Sequence, residues 1–260
     1  VGRCLLFVLV LLFCHTAPVL SHAPVLLDSR HATPGLRIVL RRLGQVDDST
    51  EAKYQIRAFG FPKGVKLLFW AKEFDHSFHQ LASVFQVDSS GNGLEAKPSV
   101  AQPPRKLDEM IFGPGAYPRG AIWELALVSI DRKLQAFTKV TPYPIIFREG
   151  SCEIDLILAS HRGEKFVVFG TGFPPGDEVN TSLRYAGRVI EKRVKTSADG
   201  SLPSQVLLHA SVNTDQQAQY VVKARTCEVK VDYQWGEAAL KRDHENKTRP
   251  AEPALPIILR

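Results

Sequence analysis

Residues 54–64 read Tyr-Gln-Ile-Arg-Ala-Phe-Gly-Phe-Pro-Lys-Gly, and residues 166–176 read Phe-Val-Val-Phe-Gly-Thr-Gly-Phe-Pro-Pro-Gly. The stretches lie 112 residues apart, and each is an extended apolar run ending in Gly-Phe-Pro-x-Gly. Self-similarity of this kind constrains the chain to two copies of one design. Gly60 and Gly172 can take a positive φ or a bulge where a strand ends. Phe61 and Phe173 can fold back onto a core. Pro62 and Pro174 fix φ for a turn that Gly64 and Gly176 close. Such a corner sends the next strand into a facing sheet.

Each copy continues alike, with two β-rich runs and then a Gly-rich turn: Ser89-Ser90-Gly91-Asn92-Gly93-Leu94 in the first, Ala198-Asp199-Gly200-Ser201-Leu202 in the second. The offset falls to 108 by Leu94 and Leu202, which places a few extra residues in the first copy, in a hairpin around 73–78. Alternation and β-branching predict first-copy strands over 36–43, 53–59, 65–74, 80–88, 121–130 and 134–140. In the second copy they predict 152–159, 165–171, 178–185, 188–196, 202–210, 219–225 and 227–234. Short strands with frequent turns give an all-β expectation: two tandem immunoglobulin-like antiparallel β-sandwich domains, 35–146 and 150–235, after an N-terminal signal segment.

Arg3 precedes an unbroken apolar run from Cys4 to Cys14. About ten apolar residues match the core of a secretory signal, whereas a spanning helix needs about twenty. Residues 1–23 are therefore read as a signal peptide, cut after Ser21 or Ala23, and the product as secreted, periplasmic or cell-surface with no membrane span. Cys4 and Cys14 leave with it. Cys152 and Cys227 remain, and in an oxidising compartment such a pair is expected to form a disulfide. Two thiols without nearby His are too few ligands for zinc.

Residues 97–120 interrupt the first domain with Lys97-Pro98, Gln102-Pro103-Pro104 and Gly113-Pro114-Gly115, which exclude regular structure. A long exposed loop is expected there, with a helical turn near 107–110 and with Tyr117 and Arg119 as candidate binding residues. Thr141-Pro142-Tyr143-Pro144 reads as a stiff hinge. Trp70 and Trp123 lie in strand-like runs and read as core. Trp235, at the end of the last strand, is either core or a binding residue. The tail, 236–260, is polar and Pro-punctuated, with a short helix expected near 237–243 and disorder beyond it.

The Gly-Phe-Pro-x-Gly corner, the later Gly-rich turn and the export signal together are similar to bacterial secreted and cell-surface immunoglobulin-like repeats. The resemblance covers both repeat cores. It implies a spacer, an adhesin or a carbohydrate-binding accessory, and no functional residue carries over from so general a class.

The chain has no Gly-x-Ser-x-Gly elbow and no His-Glu-x-x-His zinc helix. Asp47-Asp48 and Asp108-Glu109 read as solvated turn residues rather than a catalytic carboxylate pair. The net charge of +6 is spread without a long Lys/Arg block, which argues against nucleic acid as a partner. One local cluster, Asp75-His76-Ser77-Phe78-His79, has metal-like composition but falls at an expected hairpin tip, where side chains splay. Cleavage after Ser21 would expose His22, whose amine and imidazole together can chelate copper, with His31, His76 and His79 as candidate further ligands. That start resembles copper-carrying sandwich proteins of the periplasm and oxidative polysaccharide-cleaving enzymes. The leading expectation is an exported, non-enzymatic binding or structural protein without a cofactor, whose partner is a protein, a glycan or the cell envelope. A copper protein or oxidative enzyme built on His22 is the alternative. A periplasmic assembly factor is a third reading, and it requires an open strand edge.

Overall fold

The computed structural model describes residues 27–44, 52–74, 77–81, 84–96, 104–115, 117–209 and 216–241. Among these residues the chain is all-β, with sixteen strands in four antiparallel sheets. Its helical content is two 3-10 turns, Ser29–His31 and Leu107–Glu109, and α1 (Glu237–Leu240). No helix among the described residues is long and apolar enough to cross a membrane. The expected signal segment lies outside them, as does the tail beyond 241.

The first half holds β1 (Arg37–Leu43) and β2 (Lys53–Phe59), which pair with each other. It also holds β3 (Lys66–Lys72), β4 (Phe78–Gln80), β5 (Phe85–Val87), β6 (Gly93–Glu95), β7 (Trp123–Ser129) and β8 (Gln135–Val140). These form one sheet in the order β6-β5-β3-β7-β8, with β4 also on β3. The expected strand over 80–88 is thus two short ones. Trp70 pairs with Gln80 but Leu67 pairs with Phe85, so the register along β3 slips by two residues and the strand breaks there.

The second half holds β9 (Ile145–Glu149), β10 (Cys152–Leu158), β11 (Lys165–Thr171), β12 (Glu178–Tyr185), β13 (Arg188–Lys195), β14 (Leu202–Leu208), β15 (Gln217–Lys223) and β16 (Glu228–Gln234). One sheet runs β14-β11-β10-β9 and the other β13-β12-β15-β16. Their inner faces follow from strict alternation. Ile154, Leu156 and Leu158 of β10 are buried, as are Val179, Leu183 and Tyr185 of β12 and Val229, Val231 and Tyr233 of β16. The rings of Phe166 on β11 and Tyr233 on β16 meet 4.9 Å apart edge to face, so the two sheets face each other across this core.

The pairing order repeats as the sequence does. β1 and β2 hairpin before the first corner, as β10 and β11 do before the second. The next strand, β3 or β12, pairs on one side with its successor and on the other with a later strand, β7 or β15, which pairs in turn with β8 or β16. β9 has no counterpart in the sequence reading. Ile145-Ile146-Phe147 follows Pro144 directly, and Gly150, at φ 61°, turns the chain so that Glu149 pairs with Cys152.

The hinge is no free linker. Tyr143 is buried; its hydroxyl accepts from the Ala52 N–H at 2.9 Å and donates to the Gly115 carbonyl at 3.2 Å. Gly120 N–H donates to Tyr143 O at 2.7 Å, and Gly120 O accepts from Leu158 N–H at 2.9 Å. A Cβ on Gly120, whose φ is 74°, would sit 2.8 Å from Leu156 O. Only glycine lets the end of the loop lie against β10 and join the two halves.

Candidate functional site

Cys152 opens β10 and Cys227 precedes β16, in opposite sheets, and they are bonded to each other with their Cα atoms 6.5 Å apart. The bridge closes a separation of 75 residues, so it ties the two ends of the second half together.

The loop expected to be exposed is anchored to the core at a few of its described residues. Among its described residues, Leu107 and Tyr117 are buried, and the Tyr117 hydroxyl donates to Ile122 O at 2.8 Å. Tyr54 and Phe112 exchange both backbone hydrogen bonds, at 2.7 and 2.9 Å, so the loop supplies β2 with a ladder partner on its open side. Pro and Gly exclude a long strand here, but a single bridge satisfies one residue pair, and Leu107 and Phe112 anchor it in the core. Tyr117 is therefore a structural residue and not a binding surface. Arg119 is exposed.

Trp235 is also inside, 1% exposed, which removes it as a stacking platform for a sugar. Its indole lies over the ring of His209, 5.1 Å between centroids and 25° between planes. Tyr185 (4.8 Å), Tyr233 (5.6 Å) and Phe166 (6.0 Å) complete a cage around that imidazole. His209 Nδ1 lies 3.2 Å from Glu164 O, and Nε2 lies 3.0 Å from the Tyr233 hydroxyl. A neutral imidazole with its proton on Nδ1 donates to the first and accepts from the second, which satisfies both nitrogens. Burial holds the His209 pKa below the usual histidine value and pushes Tyr233 upward.

The metal-like residues are not brought together. His22 and His76 lie outside the described residues. His79 on β4 faces Glu73 at 3.7 Å, and His31 ends the first 3-10 turn. No group of three or more His, Cys, Asp or Glu among the described residues is arranged to hold a metal. Asp47-Asp48 also lies outside them, and Glu109 pairs with Lys106 at 3.2 Å.

The feature that sequence reading passed over is the outer face of the β14-β11-β10-β9 sheet. Alternation turns Val206 and Leu208 of β14, Val167 and Phe169 of β11, Asp155 and Ile157 of β10 and Ile146 of β9 away from the core. Phe169, Val206 and Leu208 are 46%, 51% and 61% exposed. Asp155 pairs in register with Phe169 on one side and Ile146 on the other. Its Oδ1 is buried without a hydrogen-bond partner, and burial raises its pKa to about 6, with a smaller push from Glu153. The direction of each residue was legible in the alternation. The half-burial of one carboxylate by its neighbours was not.

No protein-family model matches the chain, and no curated protein matches it. Among solved structures, one likeness is to a tetra-tandem repeat in the extending region of a large adhesion protein. It has a TM-score of 0.26 and 12% identity, over 77% of this chain and 48% of that one. This chain thus spans about half the length of that structure. Another is to the receptor tyrosine kinase Torso, at a TM-score of 0.21 and 12% identity, over 76% of this chain and 72% of that one. Similarity at this level assigns no activity.

Proposed function

We propose that the chain is an exported, non-enzymatic binding or structural protein made of two tandem immunoglobulin-like β-sandwich domains. The observation that carries the reading is the Cys152–Cys227 bridge between facing sheets. Such a bond persists in oxidising compartments and is rare in a reducing cytosol. The apolar run at the N-terminus supports the same address. The repeated corner and repeated pairing order support the tandem sandwich. A protein or envelope partner fits better than a glycan, because Tyr117, Trp123 and Trp235 are all buried, and Trp70, which the sequence placed in the core, is only half-buried on the outward row of β3.

Alkylation of thiols in fractionated cells, with N-terminal sequencing of the product, tests this. The expected result is protein in the exported fraction, starting at His22 or Pro24, with Cys152 and Cys227 unavailable to the reagent. A cytosolic protein with both thiols alkylated contradicts it. Glycan-array binding of that product would overturn the preference for a protein or envelope partner.

A further inference from the structure

The outer faces of the two second-half sheets differ in kind. β12 and β16 present Asn180, Ser182 and Arg184, and Lys230 and Asp232, a mostly polar surface to which β13 adds one exposed apolar side chain, Val189 beside Arg184. β11 and β14 present Phe169, Val206 and Leu208, in register with half-buried Val167 and Ile157. β14 is also a sheet edge. Exposed apolar surface of this kind marks a place that something covers.

Asp155 narrows what that something is. It lies within the apolar face with one oxygen unpartnered. The neighbouring carboxylate, Glu153, is already held by Arg148. A half-buried carboxylate without a cation is costly, so the complementary occupant is aliphatic and brings a positive charge.

The chain contains such a segment outside its described residues. Residues 255–260 read Leu-Pro-Ile-Ile-Leu-Arg. The described chain ends at the right end of the sheet to deliver it. Gly236, at the start of α1, donates to Gly163 O at 2.8 Å in the turn between β10 and β11. His209 N–H, just after β14, donates to Glu164 O at 2.9 Å in the same turn. Leu208 pairs with Lys165 beside it. From Lys241, residues 242–254 reach at most roughly 45 Å when extended. The row holding Asp155 and Phe169 lies four residues along β11 from Lys165, about 13 Å away. Pro256, which lacks an N–H, is tolerated at the outside of a sheet edge.

We propose that segment 255–260 of this chain folds back onto the outer face of the β14-β11-β10-β9 sheet, its aliphatic side chains on Phe169, Val206 and Leu208 and Arg260 against Asp155.

The test compares the full chain with one ending at residue 253, using a hydrophobic dye and a carboxyl NMR titration. In the shortened chain, dye fluorescence rises several-fold and Asp155 titrates near 6. In the full chain the dye signal is low and Asp155 titrates in or below the ordinary carboxylate range, near 4. A synthetic peptide of residues 254–260 restores the full-chain dye signal, and Phe169→Lys abolishes the excess dye binding of the shortened chain. In the full chain, Arg260→Ala raises the Asp155 titration again. Equal dye binding and an equal Asp155 titration in the two chains would overturn the proposal. So would a full chain that is a dimer and becomes monomeric on shortening, because the segment would then sit on a second copy.

Discussion

The corners at 60–64 and 172–176 turn the chain in the same way. Gly60 and Gly172 have φ of 83° and 76°, and a Cβ on either would strike the backbone just before the unit's first corner strand: Gly35 O at 2.4 Å, Ser151 O at 1.8 Å. Gly64 N–H bonds to Val87 O and Gly176 N–H to Ser197 O, in each case next to the Gly-rich turn downstream. That turn is closed by an aspartate in both: Asp88 accepts from Ser90 and Asn92 N–H, Asp199 from Ser201 N–H. What differs is the bracing. In the second unit β14 completes the sheet beside β11, Thr196 donates to Pro174 O at 2.6 Å while accepting from Asp177 N–H, and the disulfide joins the sheets. In the first unit β6 stops short at three residues and pairs with β5, and the Pro/Gly loop takes the open side of β2. One corner design therefore tolerates two ways of closing the sheet next to it. The asymmetry locates where each unit is vulnerable.

The largest effect should come from removing the bridge. Cys152→Ala with Cys227→Ala should destabilise the second unit by about 4 kcal/mol through the freedom returned to its unfolded chain. Denaturant unfolding followed by hydrogen exchange should show the first unit unchanged, and equal losses in both would break the comparison. Next, Gly172→Ala should cost about 3 kcal/mol and Gly60→Ala about 2, since both force a left-handed alanine but the clash at Gly172 is the closer. The order of the two midpoints checks this, and a larger loss at Gly60 reverses it. Leu107→Ala should cost about 2 kcal/mol and fall on the first unit alone, because Leu107 anchors the loop.

The smallest effect is a pH dependence confined to the second unit. The folded pKa of His209 lies below its unfolded value, so the unfolded state binds more protons as pH falls below about 6.5. Its contribution is present above that pH and is lost as pH falls toward the folded pKa, at no more than about 1.4 kcal/mol per pH unit. Wild type and His209→Gln should therefore diverge in slope between pH 5 and 7. That difference isolates His209 from the other titrating groups of the unit. Parallel slopes would remove His209 as the titrating group.

Much of the fold was legible because its signals are local. Alternation in Cys152–Leu158 and Glu178–Tyr185 fixed which side chains face the core, and the two corners announced themselves through Gly, Phe and Pro. Pairing across distance was not. Nothing in Gly113, Gly115 or Gly120 says that this loop would lie against Ala52, Tyr143 and Leu156, since the loop's side of each contact is backbone that every residue has. β9 escaped notice because two prolines preceded a run of only three apolar residues. The candidate sites fared worse. Trp235, at a strand end, read equally well as core or as surface, and Tyr117 read as an exposed loop residue; both are core because His209 and Ile122 receive them. Asp155 was visible as an outward residue, but its environment depends on three neighbouring strands.

The central claim is that the loop does for β2 what β14 does for β11. Hydrogen exchange of the Tyr54 and Phe112 amides, which bond reciprocally at 2.7 and 2.9 Å, tests it most directly. Both should be protected to the degree of the Phe166 and Leu207 amides in the second unit, the bonded pair next along the ladder from His209 N–H on Glu164 O. Exchange of Tyr54 and Phe112 at rates near those of an unprotected chain, with β3 and β7 still protected, would contradict it.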